Sequence, residues 1–191
     1  MGYKHFGRIG DIWKHLPLCE IVSKEDIKTY IETNSAYFDY VLEHSLEQDY
    51  GIGLFIDKSE NYPELKESKY YELIKPFYDN DKYLGSCGQA IQLLKNKADK
   101  FIFYDLDKDA LTSIEKTVTE LGLSHIVETK LTDSATELIN LIPKLNNKTF
   151  VHIDPYLIHE PNMDGHSFLD GFFEASKKGV KCFLWYGFGT L

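Results

Sequence analysis

At 191 residues, with 43 % apolar and 27 % charged side chains, the chain has the size and composition of a globular protein able to bury a core. Its formal charge of −9, with Arg8 the sole arginine, excludes a generally basic polyanion binder, because association with phosphate backbones is driven by Lys and Arg; a local basic face is still allowed. Cys19, Cys87 and Cys182 are too far apart for a metal-ligand pattern or a disulfide framework, and the opening MGYKHFGRIGDIWKH lacks the apolar run of a signal peptide, so a reducing cytoplasm is expected. No stretch approaches the ~20 apolar residues of a membrane span.

Taken in chain order, Asp11, Lys14 and His15 stand at helical spacing, so one helical face carries all three. Tyr3 and His5 precede them closely. Two histidines and an aspartate are metal-ligand types, but no matched pair follows elsewhere, and no metal is expected. Residues 27–33 (IKTYIET) predict a first strand. Residues 43–82 are polar and aromatic, broken by Gly51, Gly53, Pro63 and Pro76; they predict an insertion, with one or two short helices over 64–78. Leu84-Gly85-Ser86-Cys87-Gly88 then opens a helix, with Ser86 as its expected cap and two glycines permitting close backbone approach.

From there strand and helix alternate. KFIFYD (100–105) is a second strand, and Asp107 caps a helix whose apolar face is Leu111, Ile114, Val118 and Leu121, stopped by Gly122. HIVET (125–129) is a third strand, followed by a helix striped with Ala135, Leu138, Ile139 and Ile142 and closed by Pro143. TFVHID (149–154) is a fourth strand, residues 167–177 a helix, and KCFLWY (181–186) a fifth strand. Nearly continuous apolar strands alternating with helices predict a parallel, doubly wound α/β sheet covered on both faces. Ligands of such sheets sit at the carboxyl ends of the strands, which directs attention to the residues just after 33, 105, 129 and 154.

Asp154-Pro155-Tyr156 follows the fourth strand directly. It offers an acceptor for an amine N–H, a stiffened turn and an aromatic plane. The alternative is that Asp154 caps a turn and Tyr156 packs. Asp105 ends the second strand, where an acid accepts bonds from ribose hydroxyls; otherwise Asp105, Asp107 and Asp109 form a solvated capping loop. Thr33-Asn34-Ser35-Ala36 stands where a cofactor-binding loop would carry glycine, and has none. His152 lies inside an apolar strand as a hydrogen-bonded core residue, while His159 and His166 belong to the loop beyond Asp154.

In order along the chain, these segments resemble the large-subunit ribosomal RNA adenine-N6 methyltransferases of the J type, also described as proteins for catabolism of external DNA. Tyr3-Lys4-His5-Phe6 with Gly10-Asp11-Ile12-Trp13-Lys14-His15 is similar to the family's opening signature. Thr33-Asn34-Ser35-Ala36 stands at its His-Ala-Gly loop, Tyr83-Leu84-Gly85-Ser86 at its Tyr-Pro-Gly-Ser motif, and Tyr104-Asp105-Leu106 at its Thr-Glu-Leu segment. Asp133-Ser134 stands at its Asp-Gly pair, Ile153-Asp154-Pro155-Tyr156 at its Ile-Asp-Pro-Pro-Tyr motif, and Leu184-Trp185-Tyr186 at its Leu-Trp-Tyr strand. The chain departs by one proline fewer after Asp154, by Asp in place of Glu at residue 105, and by the glycine-less loop.

The resemblance implies a Rossmann-like class I methyltransferase sheet, doubly wound, forming one domain with a helical insertion after the first strand and lacking the family's C-terminal hairpin. It implies transfer of a methyl group from S-adenosylmethionine to an exocyclic adenine amine in RNA or DNA, with ribosomal RNA as the expected partner. Lys14, His15, Asn34, Ser86, Asp105 and Asp133 would surround the cofactor: Asp105 at the ribose, Ser86 at the amino-acid end, Asp133 at the adenine amino group. Asp154 with the Pro155 backbone would hold the target amine, and Tyr156 would stack on the flipped base. Tyr3 and His5 would belong to a closing N-terminal segment. Two other readings stay open: a methyltransferase-fold binding protein without turnover, suggested by the glycine-less loop, and a small-molecule methyltransferase, suggested by the charge.

Overall fold

The computed structural model describes residues 5–186. In chain order the elements are α1 (Ile9–Lys24), β1 (Thr29–Glu32), β2 (Asp39–Val41), α2 (Leu46–Gln48), a π-helical stretch (Asp49–Gly53), α3 (Leu54–Ser59), α4 (Pro63–Lys66), α5 (Lys69–Tyr78), β3 (Lys82–Leu84) and α6 (Ser86–Leu94). Then come β4 (Lys100–Asp105), α7 (Lys108–Glu120), β5 (Val127–Leu131), α8 (Ser134–Leu141) with a 3-10 turn (Ile142–Lys144), β6 (Thr149–Ile153), α9 (Phe168–Lys177) and β7 (Lys181–Leu184). The chain divides into two compact units: one runs up to Glu25 and resumes over Tyr37–Lys95, the other holds Asp26–Ala36 and everything from Asn96 on.

The second unit is built on a five-stranded sheet in the order β5-β4-β1-β6-β7. Every pairing is parallel, with Thr29 opposite both Lys100 and Thr149. The crossover from β4 to β5 moves away from β1 in one direction, and that from β6 to β7 in the other. Right-handed crossovers therefore put α7 and α9 on opposite faces. The order reverses between β1 and β6, which makes their carboxyl ends the topological switch point.

Side chains alternate along each strand, so Ile31, Ile102, Tyr104, Val151 and Ile153 share one face and pack with Leu138, Ile142 and Ala175 of α8, the 3-10 turn and α9. The other face is aromatic: Tyr30 stacks on Phe150 at 5.8 Å and tilts against Phe101 and Phe103. Buried beside these rings, the Tyr30 hydroxyl donates to Glu32 Oε2 at 3.0 Å, and His152 Nδ1 lies 3.4 Å from Glu32 Oε1. His152 is thus a core residue of β6. Asp107 caps α7 by accepting the backbone N–H of Asp109 at 2.8 Å, and Gly122 ends that helix at φ +72°.

In the first unit, α1 buries Leu18, Cys19 and Val22. The antiparallel pair β2–β3 sets Val41 opposite Lys82. Sequence reading contains no strand at either place; the pair now brackets the segment 43–82, which lies inside this unit. Expected boundaries also move: the first strand shortens to Thr29–Glu32 and the fifth to Lys181–Leu184. The third strand begins at Val127, because Ile126 N–H closes a turn onto Leu123 O at 3.0 Å, while the Ile126 carbonyl already accepts Phe101 N–H of β4 at 2.8 Å. The cap of α6 is Gly85, with Ser86 its first helical residue. A Cβ at residue 85 would collide with the Tyr37 carbonyl oxygen, so only glycine fits there.

Candidate functional site

Four of the sequence-predicted residues lie at the carboxyl edge of the five-stranded sheet, in one unit: Asn34 after β1, Asp105 at the end of β4, Asp133 after β5 and Asp154 after β6. The loop after β1 is fastened on three sides. Thr33 N–H donates to His152 O at 3.1 Å, the Ser35 N–H and hydroxyl both donate to Tyr104 O at 3.0 Å, and the Ser134 hydroxyl donates to Thr33 O at 2.7 Å. Ala36 N–H donates to Asp105 Oδ2 at 2.8 Å. Ala36 itself adopts φ +51°, the left-handed conformation that glycine takes freely. The loop therefore keeps a glycine-type backbone turn with an alanine in it.

Asp105 is buried, and its Oδ1 accepts the N–H of Asp107 at 2.8 Å. It differs from its neighbours Asp107 and Asp109: Asp107 caps α7, whereas Asp105 ties the β1 loop to the end of β4. Asp133 is exposed and caps α8, its Oδ1 accepting Ala135 N–H at 2.9 Å, while its Oδ2 accepts the Asn162 amide at 3.1 Å. Each carboxylate oxygen has two acceptor positions, so Oδ2 has capacity for a second donor. Carboxylates at the ends of adjacent strands, one solvent-accessible, beside a left-handed turn at β1, are donor-accepting chemistry that suits the hydroxyls and amino group of a nucleoside.

Asp154 is half-buried and Pro155 buried, while the Tyr156 ring is 95 % exposed. The aromatic plane next to the switch-point carboxylate is thus left to solvent, not used as core. The packing alternative for Tyr156 does not hold.

The remaining predicted residues belong to the other unit. Lys14 and His15 are buried on α1, and Ser86 is buried at the start of α6. Lys14 Nζ lies 3.5 Å from Asp11 Oδ1. His15 Nδ1 lies 2.8 Å from the Tyr83 hydroxyl and 3.0 Å from Gln89 Nε2. Gln89 Nε2 also donates to Leu84 O at 2.7 Å, and its Oε1 accepts the Cys19 thiol at 3.3 Å. With the amide oriented by those bonds, Nδ1 is an acceptor and the ring proton is assigned to Nε2. Burial pushes the Cys19 thiol and the Tyr70 and Tyr83 hydroxyls far above their ordinary values, so these three groups stay un-ionised. His5 is exposed, with Nδ1 3.3 Å from Glu47 Oε2. Tyr3 lies outside the described residues.

Sequence reasoning gives no role to Tyr30, Glu32, Gln89 and Asn162, and quotes Tyr83 only within a motif. Only Glu32, an acid within an otherwise apolar strand, carries a local signal.

No family model and no curated protein matches the sequence. Among solved structures, the chain is similar to protein LPL1258 from Legionella pneumophila, described as a DUF519 protein, with a TM-score of 0.73 at 23 % identity over 95 % of this chain and 68 % of that one. At that identity the likeness establishes the fold alone: a Rossmann-like α/β architecture on a parallel five-stranded sheet flanked by helices.

Proposed function

We propose that the protein is an S-adenosylmethionine-dependent methyltransferase acting on the exocyclic amine of an adenine in RNA or DNA. The observation that carries this reading is Asp154-Pro155-Tyr156 at the switch point, with a tyrosine ring 95 % exposed two residues after the carboxylate. The ordered motifs resembling the J-type rRNA methyltransferases supply the choice of cofactor and acceptor. In this reading Asp105 receives the ribose hydroxyls and Asp133 the adenine amino group, with Asn34 completing the cofactor contacts of that unit.

S-adenosylmethionine supplies an electrophilic methyl group on a sulfonium centre. The chain's own work is positioning. Asp154 accepts a hydrogen bond from the target amine and so aims its lone pair, the Pro155 backbone holds that carboxylate's turn, and Tyr156 fixes the plane of the base. The formal charge of −9 favours a second reading, in which the acceptor is a small molecule. Radiolabelled methyl transfer decides between them: label in total RNA supports the first, and label confined to small metabolites of an extract supports the second. Asp154→Ala should abolish transfer while S-adenosylhomocysteine still binds; undiminished transfer would remove Asp154 from the mechanism.

A further inference from the structure

The loop leaving Asp154 is organised by one side chain farther along it. Asn162 N–H donates to His166 O at 2.9 Å, and Gly165, at φ +81°, donates to Asn162 O at 3.0 Å, closing a tight turn. Inside that turn Asn162 Oδ1 accepts the N–H groups of Asp164 (3.0 Å) and His166 (3.1 Å). Its Nδ2 points outward, donating to Asp133 Oδ2 at 3.1 Å and to Thr136 Oγ1 at 2.9 Å. A primary amide offers two donors and two acceptor positions, and all four are filled. Thr136 in turn donates to Asp164 Oδ2 at 2.9 Å, closing a ring of bonds between the turn and the first turn of α8.

The loop after β6 and the loop after β5 are thereby joined through a single carboxylate oxygen. We propose that Asn162 is a positioning residue that couples ligand occupancy at Asp133 to the order of the loop beginning at Asp154. The inference rests on the methyltransferase reading above, in which Asp133 Oδ2 receives an amino group. Asn162 takes one acceptor position on Oδ2 and restrains the carboxylate from rotating. The second position then accepts a ligand amine, and the amine, Asp133 and Asn162 form one hydrogen-bonded chain ending on the backbone of the loop. A ligand with a carbonyl in place of that amine sets acceptor against acceptor and loses both the bond and the ordering.

The test uses the full chain, wild type and Asn162→Ala, with two probes: S-adenosylhomocysteine and its deaminated analogue S-inosylhomocysteine. Calorimetry gives affinities, and hydrogen exchange follows residues 157–167. Wild type is expected to prefer the adenosine probe by about tenfold or more, the equivalent of one bond to a charged acceptor, and its binding should slow exchange at Asp164 and His166. In Asn162→Ala the preference should fall toward unity and the ligand-dependent slowing should vanish. General loosening of the fold would weaken both probes alike and leave their ratio unchanged, which overturns the proposal. So does an unaltered ratio with wild-type slowing; in either case the methyltransferase reading survives. If wild type binds neither probe at millimolar concentration, it is that underlying reading that falls, and the coupling with it.

Discussion

Ala36 donates its backbone N–H to Asp105 Oδ2 at 2.8 Å while holding φ at +51°, so an L-residue is kept in a left-handed turn by a carboxylate on the neighbouring strand. That conformation costs a non-glycine residue about 1–2 kcal/mol, against which glycine loses roughly 0.5–1 kcal/mol more entropy on folding. Ala36→Gly is therefore expected to stabilise the protein slightly, by about 0.5–1 kcal/mol. Asp105→Ala removes the tether and should cost about 1–3 kcal/mol. Urea unfolding of the two variants checks both signs; a destabilised Ala36→Gly would mean the turn is unstrained.

Tyr156 should matter for the acceptor and not for stability. Its ring is 95 % exposed, so it buries almost no apolar area in the folded chain. Base stacking on an aromatic side chain is worth roughly 1–3 kcal/mol, so Tyr156→Ala should raise the KM for a nucleic-acid acceptor about tenfold, with an unchanged melting temperature, and Tyr156→Phe should behave as wild type. Equal KM values for the alanine and phenylalanine variants would remove the ring from substrate binding.

Gly85 tolerates no side chain. A Cβ there meets the carbonyl oxygen of Tyr37, a backbone atom that cannot swing aside, while its own N–H donates to Phe38 O at 2.9 Å. Gly85→Ala should destabilise by roughly 2 kcal/mol or more despite the better helix propensity of alanine. Gly122→Asn is the contrasting case: that glycine faces open space at φ +72°, and asparagine tolerates the conformation. Thermal unfolding of the pair should show a clear loss for the first and little change for the second.

The acid limb of the stability curve should carry the mark of Glu20. The backbone N–H of Lys69 donates to its Oε1 at 2.6 Å, and this bond, with Lys24 at 3.0 Å, lowers its carboxyl below the ordinary 4.5. Because the folded-state value is the lower one, the contribution is fully present above the unfolded value and disappears as pH falls below 4.5 through the folded value. Glu20→Gln should therefore lower the melting temperature near neutrality, and the difference should shrink as pH falls below the ordinary carboxyl value of 4.5. A constant difference at every pH would show that ionisation of Glu20 contributes nothing.

The thiols should separate by burial. Cys19 and Cys87 are buried, whereas Cys182 is half-buried with its thiol pushed up to about 11. Alkylation at pH 8 should reach Cys182 first and slowly, and the other two only on unfolding, as mass mapping of a time course would show.

Local pattern made much of the second unit legible. Asp107 and Gly122 bracket α7 as capping chemistry dictates, and β4 and β6 stand within a residue of their apolar runs. The pair β2–β3 was illegible because each strand has 3 residues and the partners are separated by forty positions that carry no matching signal. Acids at strand ends could be read as site candidates from position alone. The partnerships that define them could not: Asn162 reaches 29 residues back to Asp133, and Tyr30 meets His152 across 122. Ser86 was misplaced by one residue because steric exclusion at Gly85 depends on Tyr37, which no local pattern reveals.

At the border of the five-stranded sheet, β5 presents Glu128 flanked by two lysines, Lys100 at 2.8 Å and Lys130 at 3.3 Å. A flat apolar ribbon in that place would template pairing with another molecule through its unused backbone groups. The ion cluster instead obliges any incoming chain to strip water from three charges, which disfavours edge-to-edge pairing. Neutralising Glu128 and Lys130 together with valine would leave Val-Val-Thr-Val-Leu along that margin, and such a chain should gel or precipitate on storage while folding normally.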